Sequence, residues 1–141
     1  MTPRSERGSL SVFFAVLFVL LIAVAVLLAE GGRRLSNISR AEDLASEAAR
    51  AAAATLDPVT IAGGDPQING SGEIGKAREV ADQLLDRSGT NADLSRFEIS
   101  SSGRSVVVEV TVRGTSIVPG FSIDGTGTHT AQVIEPIGAA P

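Results

Sequence analysis

Cysteine, tryptophan and tyrosine are absent from this 141-residue chain. Without cysteine there is no disulfide stapling and no thiolate metal site, and no redox compartment is excluded. Aromatic mass is scarce. Of the five phenylalanines, Phe13, Phe14 and Phe18 fall in one apolar run, which leaves Phe97 and Phe121 for the rest of the chain. The remainder must therefore build its core from small aliphatic side chains, or lean on a membrane, a long helix or neighbouring subunits. There is also no excess of positive charge: 12 basic residues stand against 16 acidic ones, a formal net charge of −4. That argues against wholesale nucleic-acid binding.

What is abundant is apolar sequence, and it is unevenly spread. From Val12 to Ala29 every residue is apolar. About 18 residues at roughly 1.5 Å rise make roughly 27 Å of helix, close to the thickness of a hydrocarbon core. The run is apolar all round, whereas the core helix of a small soluble domain would carry a stripe. It reads as a membrane-inserting segment. Three uses of such a segment fit the flanking residues. One is a plain anchor. One is an export signal cut after Ala23-Val24-Ala25, a small-x-small site; a cut there leaves an apolar new terminus, because Val26 to Ala29 follow. One is a cut-and-assemble leader, since a short hydrophilic stretch ends in Arg7-Gly8 just before the run. Charge gives no orientation: Arg4 and Arg7 precede the run and Arg33, Arg34 and Arg40 follow it. The longer C-terminal side is expected outside the cytoplasm.

Beyond the run the chain favours helix. Leu35, Ile38, Ala41, Ala45, Ala48, Ala49, Ala52 and Leu56 recur at spacings of three and four and mark one narrow face. The stripe is mostly alanine, which permits close approach of a neighbouring element. Arg40, Glu42, Asp43, Glu47 and Arg50 take the other face. Gly31-Gly32 is expected to loosen the helix at the membrane exit, since glycine costs about 1 kcal/mol in a helix interior. Asp57-Pro58 is expected to end it, followed by a Gly/Pro/Asn-rich loop. Glu73 to Arg87 reads as a second amphipathic helix with Ile74, Ala77, Val80, Leu84 and Leu85 on one side, stopped by Ser88-Gly89. Three strands follow: 96–101, then 105–113 with Val106, Val108, Val110 and Val112 on one face, then 126–135 ended by Pro136. Ser102-Gly103, Pro119-Gly120 and Asp124-Gly125 are turn signals. Short turns between consecutive strands imply an antiparallel meander with a helix across one face. The fold class is α+β: a long N-terminal transmembrane helix continuing into an external helix, then a second helix and a small antiparallel β-meander. The divisions are a hydrophilic leader at 1–8, a transmembrane helix at 9–29, a helical extension at 30–56 and a small extracytoplasmic α+β domain at 57–141.

Residues for chemistry are missing. The one histidine, His129, sits in a polar strand with no partner pattern around it. Asp124-Gly125 with Gly127 lacks the further acidic ligands of a calcium loop and reads as a turn. Glycine patterns for phosphates and dinucleotides are absent. No Ser–His–acid arrangement is recognisable. Asp82, Asp86 and Arg87 read as the solvated face of the second helix, and the sequon Asn69-Gly70-Ser71 as chance. The expectation is a protein that is not an enzyme and has no cofactor, no metal site and no small-molecule substrate.

The segment from about Arg7 to Thr55 resembles the N-terminal region of the tight-adherence (Tad, or Flp) pilus-assembly proteins of the TadE/TadG-like type. The residues that carry this are Arg7-Gly8-Ser9 before the apolar span, the exit Glu30-Gly31-Gly32-Arg33, and the Ala-rich helix SRAEDLASEAARAAAA with Ala41, Asp43, Leu44 and Ala45 as the closest matches. The resemblance covers about a third of the chain. It implies a pilin-like architecture, a minor pilin-like or assembly role at the cell envelope, and partners among pilus-assembly proteins or pilin subunits contacted through the N-terminal helix. It also implies that a prepilin peptidase would cut between Gly8 and Ser9. The family usually carries Glu five residues after the cut; here that position is Phe13. A buried acid there would pair with a neighbour's N-terminal amine, and without it the expectation moves toward a TadG-like or minor component that stays an anchor. The competing expectation is a membrane-anchored extracytoplasmic binding module unrelated to pili.

Overall fold

The structure is a computed structural model, and it describes residues 7–56, 71–100 and 104–133. Two helices and three strands follow in order: α1 Arg7–Thr55, α2 Ser71–Arg87, β1 Ala92–Ile99, β2 Ser105–Val112 and β3 Gly125–Gln132. The strands form one antiparallel sheet in the order β1-β2-β3. This is the expected α+β arrangement, with the meander and its covering helix in place. The expected breaks at Asp57-Pro58, in the stretch through Gly70, at Ser102-Gly103 and at Pro136 lie outside the described residues.

Helix α1 is 49 residues long, roughly 74 Å at the usual rise. Its first half is apolar and exposed on every side, and it is the one helix among the described residues long and apolar enough to cross a membrane. Its second half lies over β3 and β2. It runs unbroken through Gly31-Gly32, where a loosening was expected. A glycine weakens helix by about 1 kcal/mol but removes no backbone hydrogen bond. The ladder on both sides therefore carries the helix through. No atom stands within 4 Å of where either Cβ would be, so no neighbour requires glycine at these two positions.

The alanine stripe does what its spacing implies. Ala41, Ala45, Ala48, Ala49 and Ala52 are fully buried and Leu56 nearly so. Leu35 departs from the expected face and is 72% exposed. Helical rotation puts it about 120° away from Ala41. Helix α2 sits beside α1 and over β1. It buries Ala77, Ala81 and Leu85, leaves Val80 and Leu84 half-buried, and turns Ile74 outward in its first turn. Ser88 Oγ donates to the Leu85 carbonyl at 2.7 Å, and Gly89 takes a φ of +65°. A left-handed glycine just past the last helical residue is the usual helix stop.

Val106, Val108, Val110 and Val112 of β2 are the largest fully buried side chains among the described residues. They alternate with outward Val107, Glu109 and Thr111, as the period of two requires. Strand β1 starts at Ala92, four positions ahead of the expected Arg96, because of a bulge. Leu94 pairs with Val110 and Arg96 with Glu109, leaving Ser95 as the extra residue. A bulge shifts the alternation by one. Ala92 and Leu94 before it, and Phe97 and Ile99 after it, all end on the core side. The result is a core of alanine and valine with one phenylalanine at its edge.

Candidate functional site

The place where the α+β part is fastened to the apolar half of the chain is built from Glu30, Asn37 and the β2–β3 connection at 113–124. Glu30 follows the apolar run directly, and Asn37 stands two turns further along the same face. That face continues through Ala41, Ala45, Ala48 and Ala52 under the sheet. One side of α1 thus carries first two polar hooks and then a smooth alanine seam.

The connection is itself a small hairpin. Thr115 and Ser122 form an antiparallel bridge. The tip closes where the Phe121 N–H donates to the Val118 carbonyl at 3.3 Å. Pro119 and Gly120 occupy the two central positions, and Gly120 has a φ of +88°. Proline followed by a positive-φ glycine is the sequence signature of a type II turn. At the base, Asp124 accepts from the Gly114 N–H and from Ser122 Oγ, both at 3.2 Å.

Glu30 holds this hairpin. Its Oε1 accepts from Ser116 Oγ at 2.7 Å and from the backbone N–H groups of Ile117 at 2.5 Å and Val118 at 3.3 Å. The Val118 N–H is shared with Ser116 Oγ at 2.9 Å. Asn37 Nδ2 donates to the Ile123 carbonyl at 2.8 Å. The Ser116 hydroxyl, the two N–H groups and the charge of Arg33 hold the Glu30 carboxyl below its ordinary range, against the opposing effect of desolvation. The other oxygen, Oε2, is covered and has no hydrogen-bond partner among the described residues.

Close packing above the hooks depends on glycine. A Cβ on Gly125 would lie 2.3 Å from the backbone of Asn37 and Ile38. One on Gly127 would lie 2.3 Å from the Glu42 nitrogen and 2.4 Å from the Ala41 carbonyl carbon. Strand β3 therefore touches the helix backbone itself. Read from the sequence, these two glycines mark only a turn. The signal that could have found them is Gly125-x-Gly127 with Ala131 in the same phase, small residues at strand spacing opposite a helix striped with alanine. Glu30 was legible as part of the helix exit and Asn37 was not singled out. Their partners are 86 to 88 positions away in the chain.

The proposed processing bond, Gly8–Ser9, lies in the first turn of α1, where the backbone is helical and the side chains are outside the described residues. Phe13 projects from the exposed apolar half, its ring edge-on to Phe14 at 6.0 Å. His129 is half-buried on the helix side of the sheet edge, opposite Val108, beside Arg50 and Ala53. Asp82, Asp86 and Arg87 are exposed on α2. Among the described residues no three His, Asp or Glu side chains are grouped so as to hold a metal ion. Compared with known proteins, the chain matches no family model, no curated protein and no solved structure.

Proposed function

We propose that this chain is a non-enzymatic, single-pass envelope protein that assists assembly of a Tad/Flp-type pilus as a minor pilin-like or accessory component, with its C-terminal domain outside the cytoplasm. The observation that carries the reading is α1: one unbroken helix, apolar and exposed over its first half, serving as the spine of a small α+β domain over its second. Such a helix lets one element act both as anchor and as a surface for neighbouring helices in a membrane, where small residues and shape decide association. The likeness of residues 7–55 to TadE/TadG-like proteins supplies the assignment to a pilus. Phe13 at the place of the usual Glu favours the accessory role, because no carboxylate is available there to pair with an incoming subunit's amine.

Deleting the gene tests this. The expected outcome is loss or marked reduction of surface pili and adherence, restored by the intact chain. Pili and adherence unchanged by the deletion would return the chain to the class of anchored binding modules.

A further inference from the structure

We propose that the tip of the β2–β3 hairpin is a second membrane contact, lying in the headgroup boundary of the bilayer beside α1 and fixing the height and tilt of the external domain. The proposal rests on α1 being a membrane anchor.

The tip is apolar and open. Ile117 is 53% and Phe121 72% exposed. From Thr115 to Ile123 no residue is charged. A domain of this size, with only two phenylalanines outside the apolar run, leaves one of them 72% exposed at the closing position of the turn. Phe97, the other, packs against the core.

The position of the tip says what covers it. The sheet end from which the hairpin springs is level with Asn37, as the contact of Gly125 shows. The tip is hooked to Glu30, about 10 Å further down the helix axis. Val118 and Phe121 line a shallow groove with Val26 and Leu27, inside the apolar run itself. The hairpin therefore descends from the domain onto the last turns of the run, where Leu27 and Leu28 are 71% and 73% exposed. Any bilayer that covers Leu27 and Leu28 also meets Phe121. Arg33 and Arg34 stand one turn above, both exposed, where cationic side chains face lipid phosphates. Apolar residues below, arginines above and an uncharged aromatic tip between them form the layering of an interfacial segment. Glu30 satisfies the amides of Ile117 and Val118, which lowers the cost of bringing those two groups into the boundary.

The chain has no tryptophan, so a single one reports its own surroundings. Three variants of the full chain are placed in vesicles of phosphatidylcholine and phosphatidylglycerol, without bromine or with bromine on the acyl chains at either of two depths, near the headgroup or near the chain end. They are Phe121→Trp, Phe18→Trp in the apolar run, and Gln132→Trp at the far end of β3, exposed and alongside Ala53. The proposal expects blue-shifted emission and strong bromine quenching for Phe121→Trp, the same for Phe18→Trp, and aqueous, unquenched emission for Gln132→Trp. Quenching of Phe18→Trp with aqueous emission from Phe121→Trp overturns the proposal and leaves the anchor standing. Blue-shifted but unquenched emission from Phe121→Trp also overturns it, and points to a second copy of the chain over the tip. Absence of quenching from Phe18→Trp sinks the anchor reading and this proposal together.

Discussion

Glu30 is the residue on which the two halves of the molecule meet. Its carboxylate is held in the ionised form by the Ser116 hydroxyl first, and then by two backbone amides and Arg33. A carboxyl whose folded value is lowered contributes its stabilisation in full above its ordinary value, here 4.5, and loses it as pH falls from there through the lower folded value. The docking of the hairpin is therefore expected to be insensitive to pH near neutrality and to fail in acid. Amide-exchange protection of Ile117 and Val118 checks this. Protection should fall only below about pH 4.5, and Glu30→Ala should lower it at pH 7. Protection in Glu30→Ala equal to that of the unaltered chain at pH 7 would show that the hairpin is held by something else.

At the scale of elements, packing is decided by where side chains are missing. Helix α1 and strand β3 meet through alanine on one and glycine on the other. Gly127→Ala puts a methyl group 2.3 Å from helix backbone, a contact only a shift of the whole helix can relieve, so a loss of about 1–3 kcal/mol is expected. Gly75→Ala in α2 meets open space and is expected to gain about 0.5–1 kcal/mol. Urea midpoints of the full chain in detergent, followed by far-ultraviolet circular dichroism, should move in opposite directions for the two variants. A midpoint for Gly127→Ala that is unchanged or raised would contradict the helix–strand contact. The same pair shows what sequence can carry. β2 was legible because its valines keep phase from Val106 to Val112. Half of β1 was not, because the bulge at Ser95 breaks the phase between Leu94 and Phe97. Gly125 and Gly127 carry no side chain to reveal a buried face, and a glycine pair beside an aspartate reads first as a turn.

At the scale of the whole molecule one long helix joins two parts: its first half is apolar and exposed, and its second half packs against the sheet. The apolar half was evident from composition, and so were the helical continuation and the meander. The joint between them was not, because its hydrogen bonds connect Glu30 and Asn37 to residues 86 to 88 positions further along the chain. No local pattern encodes such a pairing. The central claim is that α1 stays intact as anchor and spine. The most direct test is the intact mass and N-terminal sequence of the protein isolated from the membrane fraction of its native host. The account predicts a chain that begins at or before Ser9, retains the entire apolar run and remains with the membrane after alkaline carbonate washing. A chain that begins at Val26 and is recovered from the medium would contradict it.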